Sequence, residues 1–202
     1  MNSTITSRLK EEISKKIPNE LFTIKDFINI GSYDTIKRLL IRLENDGEII
    51  RVIDGIYTIP KYSKLTNEVV NITYHDLALK IADNFSWKIV PTGLHALNIL
   101  GISLQVPITY EYLSTGPYRS YFYNDKEIKF KNTRSSDISN LSYTSALVIS
   151  SIRTLGKNNI NEEIISKLQE TLTDKEKETL IEETKKTTSW IYEVIKEVAN
   201  ND

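Results

Sequence analysis

The pair Asp54-Gly55, set between Ile53 and Ile56, constrains this chain more than any other two residues. Asp-Gly between apolar runs is a strong short-range hairpin signal, because a tight loop needs residues that tolerate positive φ. A two-residue loop sets Ile53 opposite Ile56, Val52 opposite Tyr57, Arg51 opposite Thr58 and Ile50 opposite Ile59. Ile50, Val52, Tyr57 and Ile59 then share one face, and Arg51 points the other way. The strand run 48–53 leads into the loop, and Pro60 closes the unit.

Three helical stripes precede this hairpin. Ser3 opens a helix in which Ile5, Leu9 and Ile13 recur every four residues, ending at Ile17 before Pro18. Thr23 caps a short second helix, with Asp26 at the capping-box position and Ile24, Phe27 and Ile28 as its stripe; Gly31 breaks it. Ser32 caps a third helix over 33–45 with Ile36, Leu39, Leu40 and Leu43 on one face, stopped by Asp46-Gly47. Three helices followed by a tight hairpin is the order of a winged helix-turn-helix, expected over residues 1–62.

Residues 61–72 show neither helical nor strand period and read as a linker. Beyond it the chain predicts a second domain over 63–202, mixed α/β to about residue 135 and helical from about 142. Thr73 caps a helix with Asp76 at the box position and Leu77, Ile81 and Phe85 inward. Residues 88–90 suggest a short strand, and Thr92 opens a helix over 94–100 that Gly101 ends. Strands follow around Tyr110, Tyr112 and Leu113, then 121–123, then 128–130, with a Gly116-Pro117 turn. Helices are expected over 143–155 and 161–172, then one long helix from Thr173 with Glu176 at its box position. The fold class is therefore α+β.

Composition enters through what it excludes. The absence of cysteine removes disulfides, thiolate metal ligands and cysteine nucleophiles. No apolar run is long enough to span a bilayer, and the N-terminus lacks a signal-peptide core, so a cytoplasmic protein without a membrane partner is expected. Residues 1–62 hold ten basic and nine acidic side chains, 63–156 nine and seven, and 157–202 seven and eleven. The acidic tail masks a slightly basic front, but the overall charge is no nucleic-acid signature in itself. His75 and His95 lack metal-site spacing, and no phosphate loop or nucleophile elbow occurs, so neither an enzyme nor a cofactor is expected. His95 lies beside an apolar stripe and reads as a packed, hydrogen-bonded histidine.

The third helix carries the functional expectation. With its apolar face buried, Asp34, Lys37, Arg38 and Ile41 turn outward, and Thr35 and Arg42 stand at the margins. Ser32, Tyr33 and Thr35 sit at its N-terminal end, the end that a recognition helix presents to base edges in the major groove of double-stranded DNA. Arg38 is placed to bond guanine bidentately, while Lys37, Arg42 and Arg51 suit phosphates. The competing reading is a solvated helix face in a protein-interaction module.

Several segments also resemble one known family. Gly31-Ser32, the run Ile36-Lys37-Arg38-Leu39-Leu40-Ile41-Arg42-Leu43, Asp46-Gly47-Glu48-Ile49 and Gly55-Ile56-Tyr57 with Pro60 are similar to the winged-helix start of AbiEi-type antitoxins. The similarity continues through Pro91-Thr92-Gly93-Leu94-His95-Ala96-Leu97-Asn98, Leu100-Gly101-Ile102-Ser103 and Gln105-Val106-Pro107, and ends near Tyr112-Leu113-Ser114-Thr115-Gly116 and Ile128-Lys129-Phe130. It covers about residues 20–131. The resemblance implies the antitoxin of a type IV toxin–antitoxin system tied to abortive phage infection, repressing its own operon at inverted repeats. It also implies a second domain that counters a nucleotidyltransferase-like toxin without forming a stable complex. Asp54 departs from the basic residue that relatives often carry before the wing glycine.

In the second domain, Asn98, Ser103 and Gln105 are polar groups within or just after an apolar stretch, and buried they would need partners. Together with Arg119 they are the candidate antitoxin surface, lining a groove or else forming a hydrogen-bond network at a strand–helix junction. Tyr110, Tyr112, Tyr118, Tyr121 and Tyr123 suit either base stacking or sheet packing. The alternative function is a plain winged-helix regulator whose C-terminal part senses a ligand or dimerises.

Overall fold

The computed structural model describes residues 4–134 and 138–200. They form a mixed α+β structure of eight α-helices and two sheets, which divides into two compact units, 1–86 and 87–202.

In the first unit, α1 (Ile5–Ser14) is capped by Thr4, whose hydroxyl accepts the Ser7 N–H. The expected start at Ser3 lies outside the described residues. A short strand β1 (Leu21–Thr23) follows, then a single 3₁₀ turn (Ile24–Phe27) where a second α-helix was expected. The Thr23–Asp26 capping box is formed, with Asp26 accepting the Thr23 N–H at 2.6 Å. After Ser32, α2 (Tyr33–Asn45) runs to Gly47, which takes the left-handed conformation at φ +75°. Strands β2 (Ile50–Ile53) and β3 (Ile56–Thr58) make the hairpin. β3 is central, in the order β1-β3-β2, and all pairs are antiparallel.

The hairpin register corrects the sequence reading. Ile53 faces Ile56, but Arg51 faces Tyr57 and Ile50 faces Thr58, with Val52 the extra residue of a bulge. Of the two loop residues only Gly55 is left-handed, at φ +80°. The mirror-image turn that would hold a straight two-residue register needs both residues there, and the bulge takes up the difference. Arg51 therefore stands on the same side of the hairpin as Tyr57.

The unit's core is a sheet-on-helix cluster of Leu9, Ile13, Phe22, Phe27, Ile36, Leu40, Leu43, Ile49 and Tyr57. Phe22 joins its parts, lying edge-on to Phe27 at 5.5 Å and stacked with Tyr57 at 6.3 Å. The sequence expectation had cut the chain at 62/63, inside what is one unit. Residues 61–72 bend back through a Tyr62–Val69 bridge, and Asn19 donates to the Val70 carbonyl at 3.1 Å. Next, α3 (Tyr74–Asn84) closes against β1, where Lys80 pairs with Asp26 at 3.0 Å. Leu77 and Ile81 are buried as expected, but Ala78 and Ala82 share that face and Phe85 is exposed.

The second unit holds a four-stranded sheet ordered β4 (Ile89–Pro91), β5 (Thr109–Ser114), β7 (Lys126–Asn132), β6 (Arg119–Tyr123). β5 and β7 are parallel, and the other pairs antiparallel. The short α4 (Gly93–Ile99) lies between β4 and β5 in sequence. After it come α5 (Tyr143–Leu155), α6 (Glu162–Thr171), α7 (Asp174–Thr184) and α8 (Ser189–Ala199). Every residue of α5 from Ser145 to Ile152 is buried, which makes it the central helix, packed with Val90, Ala96, Leu100, Leu168, Leu180 and Ile195.

The single long helix expected from Thr173 is two helices. Thr184 returns its hydroxyl to the Leu180 carbonyl, and Thr188 is the N-cap residue of α8. Between Leu180 and Ile191 no apolar residue is fully buried, so a straight helix would carry a stretch without a core-facing stripe.

Candidate nucleic-acid interface

Burial of Ile36, Leu40 and Leu43 fixes which arc of α2 meets solvent. The 100° step then puts Arg38 and Asn45 opposite the core. Lys37 and Glu44 fall on the flank toward the β2–β3 hairpin, while Thr35, Leu39 and Arg42 fall on the flank toward α1. Two contacts fix these flanks. Glu44 reaches Arg51 of β2, and Leu39 and Arg42 line a small cleft with Thr6 and Lys10 of α1. Leu39, expected on the buried face, is only half-buried for this reason.

The basic groups of this surface differ sharply in how they are occupied. Lys37 is exposed and has no ion-pair partner among the described residues. Arg38 is exposed and folds back to donate from Nε to the Asp34 carbonyl at 3.3 Å, a weak tether to its own helix. Arg42 is exposed with Asp46 at 3.7 Å. Arg51 is the committed one: it donates to Glu44 Oε2 at 2.7 Å, lies 3.7 Å from Asp54 and stacks 5.7 Å above the Tyr57 ring. The Glu44 carboxylate, then the neighbouring tyrosine and Asp54, hold the Arg51 guanidinium above its ordinary range.

At the N-terminal end, Ser32 Oγ accepts the Thr35 N–H at 3.4 Å and lies 2.9 Å from Thr35 Oγ1. The cap leaves the preceding N–H groups of the first turn without an intrahelical acceptor. Tyr33 projects there, 53% exposed. Ser32, Tyr33, Thr35, Lys37, Arg38 and Arg42 thus form one helical surface, and Arg51 joins its hairpin flank through Glu44. Glu44 and Asp46 are the site residues the sequence reading left out. The Arg42/Asp46 spacing of four residues was a readable signal; the Glu44–Arg51 pair is tertiary and was not.

In the second unit, Asn98, Ser103 and Gln105 do meet. Asn98 Nδ2 donates to the Ser103 carbonyl at 2.5 Å, and the Gln105 N–H donates to Ser103 Oγ at 3.2 Å. Arg119 stands apart from them on β6, at the opposite edge of the sheet from β4, with its guanidinium 5.6 Å above Tyr121. His95 is buried, with Nε2 3.0 Å from the Tyr112 hydroxyl and its ring edge-on to Tyr110 and Tyr112. Among the described residues no group of three His, Cys, Asp or Glu side chains is placed to hold a metal ion, and no helix is long and apolar enough to cross a membrane.

A comparison with curated proteins finds no match. Among solved structures, the chain is similar to the crystal structure of the RV2827C protein from Mycobacterium tuberculosis, with 12% identity and a TM-score of 0.48. The alignment spans 98% of this chain and 76% of that one. A family model described as a family of unknown function, DUF6088, matches residues 8–180. That match takes in most of both units, and the chain belongs to the DUF6088 family.

Proposed function

We propose that the first unit is a winged helix-turn-helix and that the protein is a sequence-specific double-stranded DNA-binding regulator. The observation that carries this reading is α2 itself. Ile36, Leu40 and Leu43 on its core-facing side are buried, its opposite arc bears the exposed Lys37 and Arg38, and a hairpin flanks it on one side. Such a helix fits a major groove by its N-terminal end, with Arg38 reaching a guanine edge and Lys37 and Arg42 meeting phosphates. Arg51 contributes only when its bond to Glu44 opens.

The resemblance of about residues 20–131 to AbiEi-type antitoxins supports a more specific reading. In it the regulator represses its own operon at inverted repeats, and the second unit counters a nucleotidyltransferase-like toxin. The test uses two readouts on the full chain. A reporter driven by the DNA upstream of its own gene should be repressed, and Lys37→Ala with Arg38→Ala should relieve repression. Expressed beside a cognate nucleotidyltransferase-like toxin from an unrelated promoter, the same double variant should still rescue growth. Loss of rescue with folding intact would show that toxicity control runs through DNA binding and would remove the second unit's role. Repression that survives the double variant would remove α2 from the interface.

A further inference from the structure

An open sheet has two edges, and a bare edge offers unpaired N–H and C=O groups to any strand that meets it. Among the described residues, every edge but one is blunted. β1 is short and closed by α3, β2 carries Arg51 and the bulge at Val52, and β4 is short, buried and ends in Pro91. β6 has none of these devices. It pairs with β7 from Arg119 to Tyr123 without a shift of register, contains no proline, and has its one charge at its first position.

The turn that follows β6 determines which of its main-chain groups are unpaired. Tyr123 faces Lys126 across the two-residue loop 124–125, where Asn124 is left-handed at φ +50°. The closing pair of such a loop exchanges main-chain hydrogen bonds, and hydrogen-bonded pairs alternate along an antiparallel ladder. Tyr123, Tyr121 and Arg119 therefore direct their N–H and C=O groups at β7. Those of Ser120 and Phe122 point outward, and among the described residues no group meets them. Both residues are exposed, Phe122 at 72%.

We propose that two copies of the chain pair through β6, antiparallel about a two-fold axis at Tyr121, joining two four-stranded sheets into one. Ser120 then exchanges both main-chain hydrogen bonds with Phe122 of the second copy, and the axis repeats the exchange. The edge is self-complementary, because an operation that sets Ser120 against Phe122 also sets Phe122 against Ser120, so the contact closes on itself. Tyr121 meets its own copy in the closer, non-hydrogen-bonded kind of pair, and the two Phe122 rings lie diagonally within aromatic reach. Charge also favours a second copy. Each Arg119 comes opposite a Tyr123 ring, and the two guanidinium-bearing positions stand roughly 13 Å apart along the strands, beyond the screening length. Five residues a side bury roughly 800 Å², which is the scale of a weak, reversible interface and not of a permanent one. The dissociation constant should therefore be on the order of 100 µM.

Two measurements on the full-length chain test this. In sedimentation equilibrium from about 10 to 500 µM the wild type should associate reversibly to a dimer. Phe122→Pro removes only an outward N–H and should raise the dissociation constant at least about tenfold, leaving the melting temperature of the monomer nearly unchanged. Phe122→Lys, which keeps that N–H but sets charges near one another across the axis, should do the same and stands in if the proline variant unfolds. The register is read by disulfide formation under mild oxidation, since the chain has no cysteine of its own. Ser120→Cys and Phe122→Cys should cross-link when mixed, because these positions lie opposite one another. Each alone should not, because like positions lie diagonally, about 7–8 Å apart between Cα atoms and too far for the bond. A wild type that stays monomeric to 500 µM overturns the proposal, including one whose edge pairs instead with a strand of another protein. So does a dimer indifferent to both Phe122 variants, or a mixture that cross-links no faster than its components.

Discussion

Lys37, Arg38, Arg42 and Arg51 carry the same formal charge, yet the structure ranks them by what already occupies them. Lys37 has no ion-pair partner among the described residues, so it should act as a full phosphate contact, and Lys37→Ala should lower the log–log salt slope of DNA binding by about 0.9. Arg38→Ala should instead relax preference at one base pair, costing about 1–3 kcal/mol there and leaving the slope nearly unchanged. Arg51 is held by Glu44, so Arg51→Ala should alter the slope less than Lys37→Ala does. Glu44→Gln should release it and tighten binding, and the gain should vanish in the double variant with Arg51→Ala. Equilibrium titrations at three salt concentrations read all four outcomes.

Asp26 supplies a stability prediction at the same scale. Burial pushes its carboxyl up, but the Thr23 N–H, the Lys80 ammonium and the Thr23 hydroxyl together outweigh it, and its pKa lies below the ordinary value. A group depressed in the folded state stabilises above its unfolded pKa, and that contribution disappears as pH falls through the folded value. Asp26→Asn should therefore lower stability by about 1 kcal/mol at pH 7, the scale of a lost cap, and by progressively less below about pH 4. Thermal melts of both proteins across pH measure the convergence.

Among the elements, those with their own caps and stripes were legible in the sequence. The α2 bounds follow from Ser32 and Asp46-Gly47, and α5 from Ser142 and Gly156. The hairpin was legible as a hairpin but not in its register, because Asp54-Gly55 announces a turn without fixing whether one or both residues become left-handed. Strand β1 was invisible for a different reason. Three residues carry no period, and Leu21–Thr23 becomes a strand only because β3 offers it an edge. The face of α2 was readable from the 3.6-residue repeat, while the neutralisation of Arg51 was not, since Glu44 meets it only after the hairpin folds back. Gly116 was read only as a turn residue. It is also a close approach, for a Cβ there would overlap the Trp87 indole, which packs edge-on to Phe130 at 5.6 Å. Gly116→Ala should accordingly destabilise the second unit by about 1–3 kcal/mol or more through overpacking, seen as a lowered melting temperature with tryptophan fluorescence as the probe.

Across the whole molecule, two units with separate cores carry surfaces of different chemistry. The first presents a helix with basic side chains, and the second the bare strand edge of β6. The central claim is that α2 reads DNA sequence, and competition binding tests it most directly. Full-length protein is titrated onto DNA from upstream of its own gene against a scrambled duplex of equal length and composition, at two salt concentrations. The account predicts a preference for the native sequence of at least about a hundredfold at the higher salt, reduced by Arg38→Ala at one base pair. Equal affinity for the two duplexes would contradict it.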